Sequence, residues 1–126
     1  MTNDNRGFQQ VGFAIGRNRA LQRTRSYSRL FMVPGMYHCA GGPGPNVFDA
    51  LTPLVTRAET GVAPETIVAT KFVNDTPPAV QMIRPLCVYP KIARYNGSGS
   101  TSVAANFTCV TDEQDFNQTP APKFGP

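Results

Sequence analysis

Apolar residues form two short runs that predict strands. In Tyr27–Val33, the four positions Leu30–Val33 are all apolar, as in a strand covered on both faces. Pro34 and Gly35 end this run. Thr66–Phe72 is the second strand candidate. Residues 1–25 are only weakly patterned and do not distinguish a short helix from a strand.

Between the two runs, apolar residues recur at helical spacing, at Phe48, Leu51, Leu54, Val55 and Ala58. Asn46 is the predicted N-cap, Asp49 lies in the predicted first turn, and Gly61 is the predicted stop. Pro53 conflicts with a helix interior, where proline costs about 3 kcal/mol. Either the helix kinks at Pro53, or it restarts with Thr52 as N-cap and Pro53 at its first position.

The remaining chain shows no clear period over more than 50 residues after Phe72. A compact domain rarely carries so long an irregular stretch. A chain of 126 residues is long enough for one domain. Two strands and one helix do not close a core, however. We therefore expect this chain to be part of a larger fold.

Charge is concentrated at the start of the chain. Residues 1–30 contain six arginines and one acidic residue, whereas the rest contains six basic and seven acidic residues. This predicts a solvated, poorly ordered lead-in. A nucleic-acid arm is not favoured, because the arginines lack interleaved aromatic residues and no binding motif follows. A membrane-surface patch is the other functional interpretation of this charge and is not favoured either, so no membrane partner is expected. No apolar run approaches the roughly 18 residues of a membrane span.

The single histidine, His38, lies beside Cys39 in a loop rich in glycine and proline, just after the first predicted strand. An α/β-hydrolase carries its general base on such a loop, after the nucleophile and acid in chain order. Imidazole suits this role because its pKa lies near working pH. Spacing alone leaves an ordinary loop histidine open.

Other catalytic groups are not evident. The serines before His38, Ser26 and Ser28, lack the G-x-S-x-G context of a nucleophile elbow, and Asp4 is the sole acid there. A metal site is not expected either, because one histidine, its neighbouring cysteine and two distant cysteines lack ligand spacing.

Three blocks, in order, resemble the tannase and fungal-type feruloyl esterase family. They are YSRLFMVPGMYHCAGGPGP at Tyr27–Pro45, NVFDALTPLVTRAETGVAPETIVATK after it, and RPLCVYPKIARYNGSGSTSVAANFTCV at Arg84–Val110. The resemblance implies an α/β architecture, the C-terminal portion of an α/β-hydrolase fold that is incomplete on its own. It divides the chain into an unmatched lead-in, residues 1–26, and the C-terminal part of a catalytic domain, residues 27–126.

The same resemblance implies roles for individual residues. His38 matches the catalytic histidine, and Cys39 matches a half-cystine whose partner, beside the nucleophilic serine, is absent here. Cys87 and Cys109 match a local disulfide. The family's calcium site lies in a lid domain without counterpart here, so no cofactor is expected. Tyr37 replaces a usually small residue and is expected to crowd the pocket.

Family members are secreted serine esterases that cleave gallate or hydroxycinnamate esters. The resemblance therefore predicts a carboxylic ester hydrolase fragment that carries only the triad histidine and is inactive unless a separately encoded N-terminal part completes it. The alternative is a non-enzymatic, basic, disulfide-bearing module that binds a polyanion. No signal peptide is visible, although N-glycosylation patterns begin at Asn74, Asn96, Asn106 and Asn117, the last followed by an unfavourable Pro120.

Overall fold

The computed structural model describes residues 17–111, with side chains from residue 21 onward. The chain divides into two units, residues 1–30 and 31–126. The described part of the first unit contains helix α1, Arg17–Tyr27. The described part of the second contains β1 (Val47–Phe48), α2 (Leu51–Thr60), β2 (Thr66–Phe72), β3 (Val80–Cys87), β4 (Lys91–Tyr95) and β5 (Phe107–Thr111), with 3-10 turns at Val73–Asp75 and Ala104–Asn106.

The described strands form two antiparallel sheets. The first has the order β1-β2-β3, and the second pairs β4 with β5. The β2–β3 register begins at Thr66 opposite Cys87 and shifts between Lys71 and Phe72. Since β2 is central, its alternating pattern places Ile67, Ala69 and Lys71 on the buried side.

The core lies on one face of the first sheet. Ile67, Ala69 and Leu86 form a buried cluster, against which Phe31 and Val33 pack. A disulfide between Cys87 and Cys109 joins the end of β3 to β5, with the Cα atoms 5.7 Å apart. It therefore fastens the second sheet to the first beside this core.

The predicted strand Thr66–Phe72 is confirmed, with the same bounds. The predicted strand Tyr27–Val33 is wrong. Tyr27 ends α1, and Phe31 alone forms an isolated bridge, to Val88. A strand needs pairing partners at successive residues, and the apolar run is not covered on both faces. Leu30 and Met32 are 55% and 59% exposed.

The predicted helix begins later than expected. Val47 and Phe48 pair with β2, so Asn46 is not the N-cap. Asp49 Oδ1 instead accepts the Leu51 and Thr52 N–H groups at 2.9 and 3.0 Å.

Pro53 is the third helical residue and causes neither a kink nor a restart. The first turn is free of this conflict because its N–H groups have no acceptor within the helix. The stop at Gly61 is confirmed: its φ is 75°, and its N–H donates to the Arg57 carbonyl at 2.8 Å.

The prediction of an irregular chain after Phe72 is wrong, because β3, β4 and β5 lie there. Proline concealed β3, which contains Pro85. Among the described strands β3 is an edge of its sheet, where a missing N–H is tolerated. At the other end of the chain, α1 includes residues 17–26 of the lead-in predicted to be poorly ordered, and residues 1–16 lie outside the described range.

Candidate functional site

His38 lies near the tip of the histidine loop, residues 34–45. The Gly44 N–H donates to the Gly35 carbonyl at 2.9 Å and closes the base of the loop. Closer to the tip, the Tyr37 N–H donates to the Gly41 carbonyl at 3.1 Å. These two backbone hydrogen bonds hold together the two arms of the loop, which are the residues before and after its tip. The segment that carries His38 is therefore a tight loop whose base has a fixed conformation.

Glycine is required where the arms meet. Gly42 has a φ of 98°, and a Cβ at this position would overlap the Gly35 carbonyl oxygen. A Cβ on Gly44 would overlap the Pro34 carbonyl oxygen. The high glycine content that marks this loop in the sequence therefore follows from close backbone approach.

The imidazole of His38 is exposed and contacts Cys39. Its Nδ1 lies 3.1 Å from the Cys39 Sγ, and Cys39 is an exposed free thiol with a φ of 72°. In residues 17–111, no serine hydroxyl or carboxylate is hydrogen-bonded to the imidazole. The structure thus brings together the two predicted site residues, His38 and Cys39, without a nucleophile or an acid from the described range.

Two further residues considered for this site are Tyr37 and Asp4. Tyr37 is 67% exposed, so its ring does not fill a buried pocket among the described residues. Asp4, the acid that precedes His38 in the sequence, lies outside the described residues.

Lys71 is a site residue that the sequence reasoning missed. Its side chain is buried in β2, yet its Nζ donates to the Gly42 carbonyl of the histidine loop at 2.7 Å. The same ammonium forms an ion pair with Asp75. A usable signal was present: Lys71 follows Ile67 and Ala69 at the spacing of two that places residues on one strand face.

Asp75 and Asn46 extend this contact. The Asn46 side chain donates to Asp75 Oδ1 at 3.0 Å, and its backbone N–H donates to the Thr70 carbonyl at 3.2 Å. The hydrogen bond from Lys71 and, to a smaller extent, that from Asn46 lower the pKa of Asp75 below its ordinary value of 3.8. Asp75 is therefore a carboxylate at neutral pH.

A cavity of about 410 Å³ lies beside the base of the histidine loop. Its walls are mostly apolar and include Met32 and Pro45 from the loop side, Leu86 from β3 and Phe107 from β5. His38 is not among the lining residues. The cavity therefore borders the loop without containing the imidazole.

The predicted disulfide and glycosylation positions have distinct environments. Cys87 and Cys109 are paired, as the resemblance implied. Asn74 and Asn96 are exposed. Asn106 is half-buried and its amide donates to the Ser100 carbonyl at 2.8 Å. Asn117 lies outside the described residues.

Neither a metal-ligand cluster nor a membrane-spanning helix is found in the described range. No group of three or more His, Cys, Asp or Glu side chains in residues 17–111 converges as metal ligands. No helix in that range has both the length and the apolar character to cross a membrane.

Comparison with known proteins identifies the family. The sequence model of the family described as "Tannase and feruloyl esterase" matches residues 6–110. This chain belongs to the tannase and feruloyl esterase family. The family resemblance inferred from the sequence is confirmed. The match begins at residue 6, well before residue 27, where the resemblance seen in the sequence starts.

Two curated relatives share substantial identity with the chain. A mono(2-hydroxyethyl) terephthalate hydrolase from Piscinibacter sakaiensis is 49% identical over 91 residues, which are 72% of this chain and 15% of the relative. An uncharacterized esterase from Xanthomonas campestris is 41% identical over 123 residues, covering 85% of this chain and 21% of the relative. The chain thus spans about a fifth or less of these two relatives.

Solved structures agree with this assignment. The crystal structure of feruloyl esterase B from Aspergillus oryzae matches with a TM-score of 0.61 and 31% identity, over 71% of this chain and 20% of that protein. An esterase from the same organism gives a TM-score of 0.62 and 33% identity over the same shares. The described fold is therefore that of a segment of these two esterases.

Proposed function

We propose that this chain is the histidine-bearing C-terminal part of a serine carboxylic ester hydrolase with an α/β-hydrolase fold. His38 is its general base. One observation carries the proposal: an exposed imidazole lies near the tip of a loop closed by backbone hydrogen bonds, in a chain of the tannase and feruloyl esterase family. Family membership supplies the esterase chemistry, and the loop supplies a base in a defined place.

The reaction proceeds by acyl transfer. A serine outside the described residues attacks the ester carbonyl while His38 accepts the serine proton. His38 then gives this proton to the leaving alcohol. In the second half, the imidazole takes a proton from water, which attacks the acyl-enzyme and releases the carboxylic acid. Without its nucleophile, the chain alone does not turn over esters by this route.

Cys39 affects the hydrogen bonding of the His38 imidazole. A triad histidine turns one ring nitrogen to the nucleophile and the other to the acid, whereas Nδ1 of His38 lies 3.1 Å from the Cys39 sulfur. The proposed disulfide between Cys39 and a cysteine beside the serine would remove the thiol hydrogen from this contact. It would also tether base and nucleophile.

The proposed substrates are esters of aromatic acids. The resemblance implies gallate and hydroxycinnamate esters. The name of the Piscinibacter relative adds a terephthalate ester, also an aromatic acid ester. The proposed location is extracellular, as for the family. No calcium ligand is proposed in this chain, because the family's calcium site belongs to the lid.

A chimera tests the proposal. Residues 27–111 replace the corresponding segment of the Piscinibacter hydrolase, and hydrolysis of methyl gallate, methyl ferulate and mono(2-hydroxyethyl) terephthalate is measured. We expect activity on at least one ester, and His38→Ala should lower kcat by about 10²–10⁴-fold, the usual contribution of general base catalysis. Tyr37→Ala is the matched loop control and should retain activity.

The outcomes separate the claims. Activity that persists in the His38→Ala chimera would show that His38 is not the base. Hydrolysis by the isolated chain, abolished by His38→Ala, would contradict the need for a second part. Salt-sensitive binding of the isolated chain to heparin, together with an inactive chimera, would favour the polyanion-binding alternative.

A further inference from the structure

Lys71 is a buried charge whose contacts reach the histidine loop. It is 6% exposed, and it is the buried charged residue of the described range. Lysine is almost never so buried unless its ammonium is paired, because desolvation of the charge is costly. Both of its recorded partners, the Gly42 carbonyl and Asp75, lie outside β2. The ammonium therefore connects the central strand to segments that flank it.

The connected side chains of Lys71, Asp75 and Asn46 are called the bracket below. Lys71 bonds to Gly42 in the second arm of the loop, and Asp75 pairs with Lys71 from the turn after β2. Asn46, just beyond the loop, bonds to Asp75 at 3.0 Å. The arm that contains Gly42 is thus fastened by a side-chain hydrogen bond at one point and by Asn46 shortly after it.

We propose that Lys71 is a positioning residue for His38: its ammonium fixes the histidine loop through the Gly42 carbonyl. This inference depends on the proposed function of His38 as general base. Gly42 lies in the same loop arm as Gly41, whose carbonyl accepts the Tyr37 N–H. Tyr37 directly precedes His38, so a contact that fixes this arm also fixes the backbone beside the imidazole. A displacement of about 1 Å at a catalytic group can reduce the rate 10²-fold, so a fixed loop has catalytic value.

The chemistry of position 71 distinguishes this role from simple support of the sheet. Methionine has a similar volume but cannot donate to the Gly42 carbonyl. Losing the Asp75 partner costs comparatively little, because the Asp75 side chain is 44% exposed to water. Removal of the ammonium should therefore loosen the histidine loop more than the β2–β3 pairing, whereas loss of a lysine that only supports the sheet would affect both.

Hydrogen exchange on the full chain tests this proposal. In Lys71→Met, exchange of the Tyr37 and Gly44 amides, which close the loop, should accelerate about tenfold, since a hydrogen bond from a charged donor is lost. Amides of the β2–β3 pairing, such as Ile67, should keep their protection. The matched control is Lys91→Met, which removes an ammonium 3.6 Å from Glu65 on the same unit. It should leave the loop amides unchanged.

His38 provides a second readout. It is the sole histidine of the sequence, so its imidazole resonances need no separate assignment. Lys71→Met should shift and broaden these resonances and change the alkylation rate of Cys39, the exposed free thiol beside it. Lys71→Arg retains a donor and should restore part of the loop protection. Loop amides, imidazole resonances and thiol reactivity that all stay as in the original chain would overturn the proposal.

A second variant covers the case in which Lys71→Met does not fold, and the chimera separates this proposal from the proposed function. If Lys71→Met does not fold, Asp75→Asn removes the carboxylate from the exposed end of the bracket. Asp75 holds the ammonium against the Gly42 carbonyl, so the loop amides of Asp75→Asn should exchange several-fold faster. Unchanged exchange would overturn the proposal that this ammonium fixes the loop. In the chimera, Lys71→Met should lower kcat with little change in KM. If His38→Ala leaves that activity intact, the proposed function fails, whereas loop exchange still decides whether Lys71 holds the loop.

Discussion

Single residues of the histidine loop are constrained by the space around the backbone. Gly42 and Gly97 both have positive φ, 98° and 88°, but an added Cβ meets the Gly35 carbonyl oxygen at the first and nothing within 4 Å at the second. Comparison of the two positions therefore separates the cost of close approach from that of the backbone conformation.

Alanine substitutions at Gly97 and Gly42 test this difference in cost. Gly97→Ala should cost about 1 kcal/mol, the price of a left-handed backbone for a residue with a side chain. Gly42→Ala should cost about 2 kcal/mol more, because the loop arms must also move apart. Urea unfolding of both variants measures the difference. Equal losses would show that the arms do not approach as closely as described.

Asp75 contributes to the way in which folding stability changes at acidic pH. Lys71 and Asn46 lower the pKa of folded Asp75 below 3.8. A depressed carboxyl pKa stabilises the folded state above the unfolded pKa, and this contribution is lost as pH falls through the folded pKa. We expect stability to decline below about pH 4 more steeply in the original chain than in Asp75→Asn.

Thermal unfolding between pH 2 and 7 checks this. Asp49→Asn serves as the comparison, because the lowered pKa of Asp49 comes from its hydrogen bonds to Thr52 and Leu51 and not from Lys71. Identical acid limbs in Asp75→Asn and the original chain would contradict the ion pair.

At the scale of elements, α2 is poorly embedded in the described part of the second unit. None of its residues is buried, and Leu51 and Leu54 are 68% and 60% exposed. Core packing thus contributes little to this helix within the described residues. Interactions at its two ends therefore contribute more to its stability. Asp49 accepts two N–H groups at the start, and the Gly61 N–H donates to a carbonyl at the end.

Asp49→Ala tests the importance of the helix start. Loss of the side-chain cap should destabilise the chain by about 1 kcal/mol. Glu59→Ala removes the same charge from the other end of α2, where a negative side chain is unfavourable to the helix dipole, and should be neutral or slightly stabilising. Urea denaturation followed by circular dichroism compares the two. Equal losses would deny Asp49 a capping role.

At the scale of the whole molecule, the Cys87–Cys109 disulfide joins the two sheets. In the described range Cys87, Val88, Ile67, Ala69 and Leu86 are the buried hydrophobic residues, so the core is small. A small core leaves little surplus stability. Arg84 of β3 also stacks over Phe107 of β5, with 4.2 Å from its guanidinium carbon to the ring centroid. The covalent link adds to this contact, and with so small a core it should matter for stability.

The double variant Cys87→Ala with Cys109→Ala should lose about 3 kcal/mol, from the entropy gained by the unfolded chain when a closed loop with a separation of 22 residues opens. Cys39→Ala is the control and should change stability little, because Cys39 is exposed and free. Chemical denaturation of both measures this. A double variant as stable as the control would show that the disulfide does not hold the sheets together.

The sequence by itself determined the family, the catalytic candidate His38, the strand Thr66–Phe72 and the helix stop at Gly61. Each of these depends on local information: motifs, alternation of apolar residues, or a backbone conformation that one residue type favours. The partner of Cys87 also followed from the sequence, but by resemblance rather than by physical reasoning.

Tertiary structure alone decided which apolar segments became strands and what surrounds the histidine. Tyr27–Val33 has strand composition yet pairs through Phe31 only, whereas β3 pairs along its length despite Pro85. Lys71 reads as a polar strand residue, and only folding brings its ammonium to Gly42, 29 positions away in sequence. Strand pairing and buried hydrogen bonds join residues distant in sequence, so local patterns do not specify them.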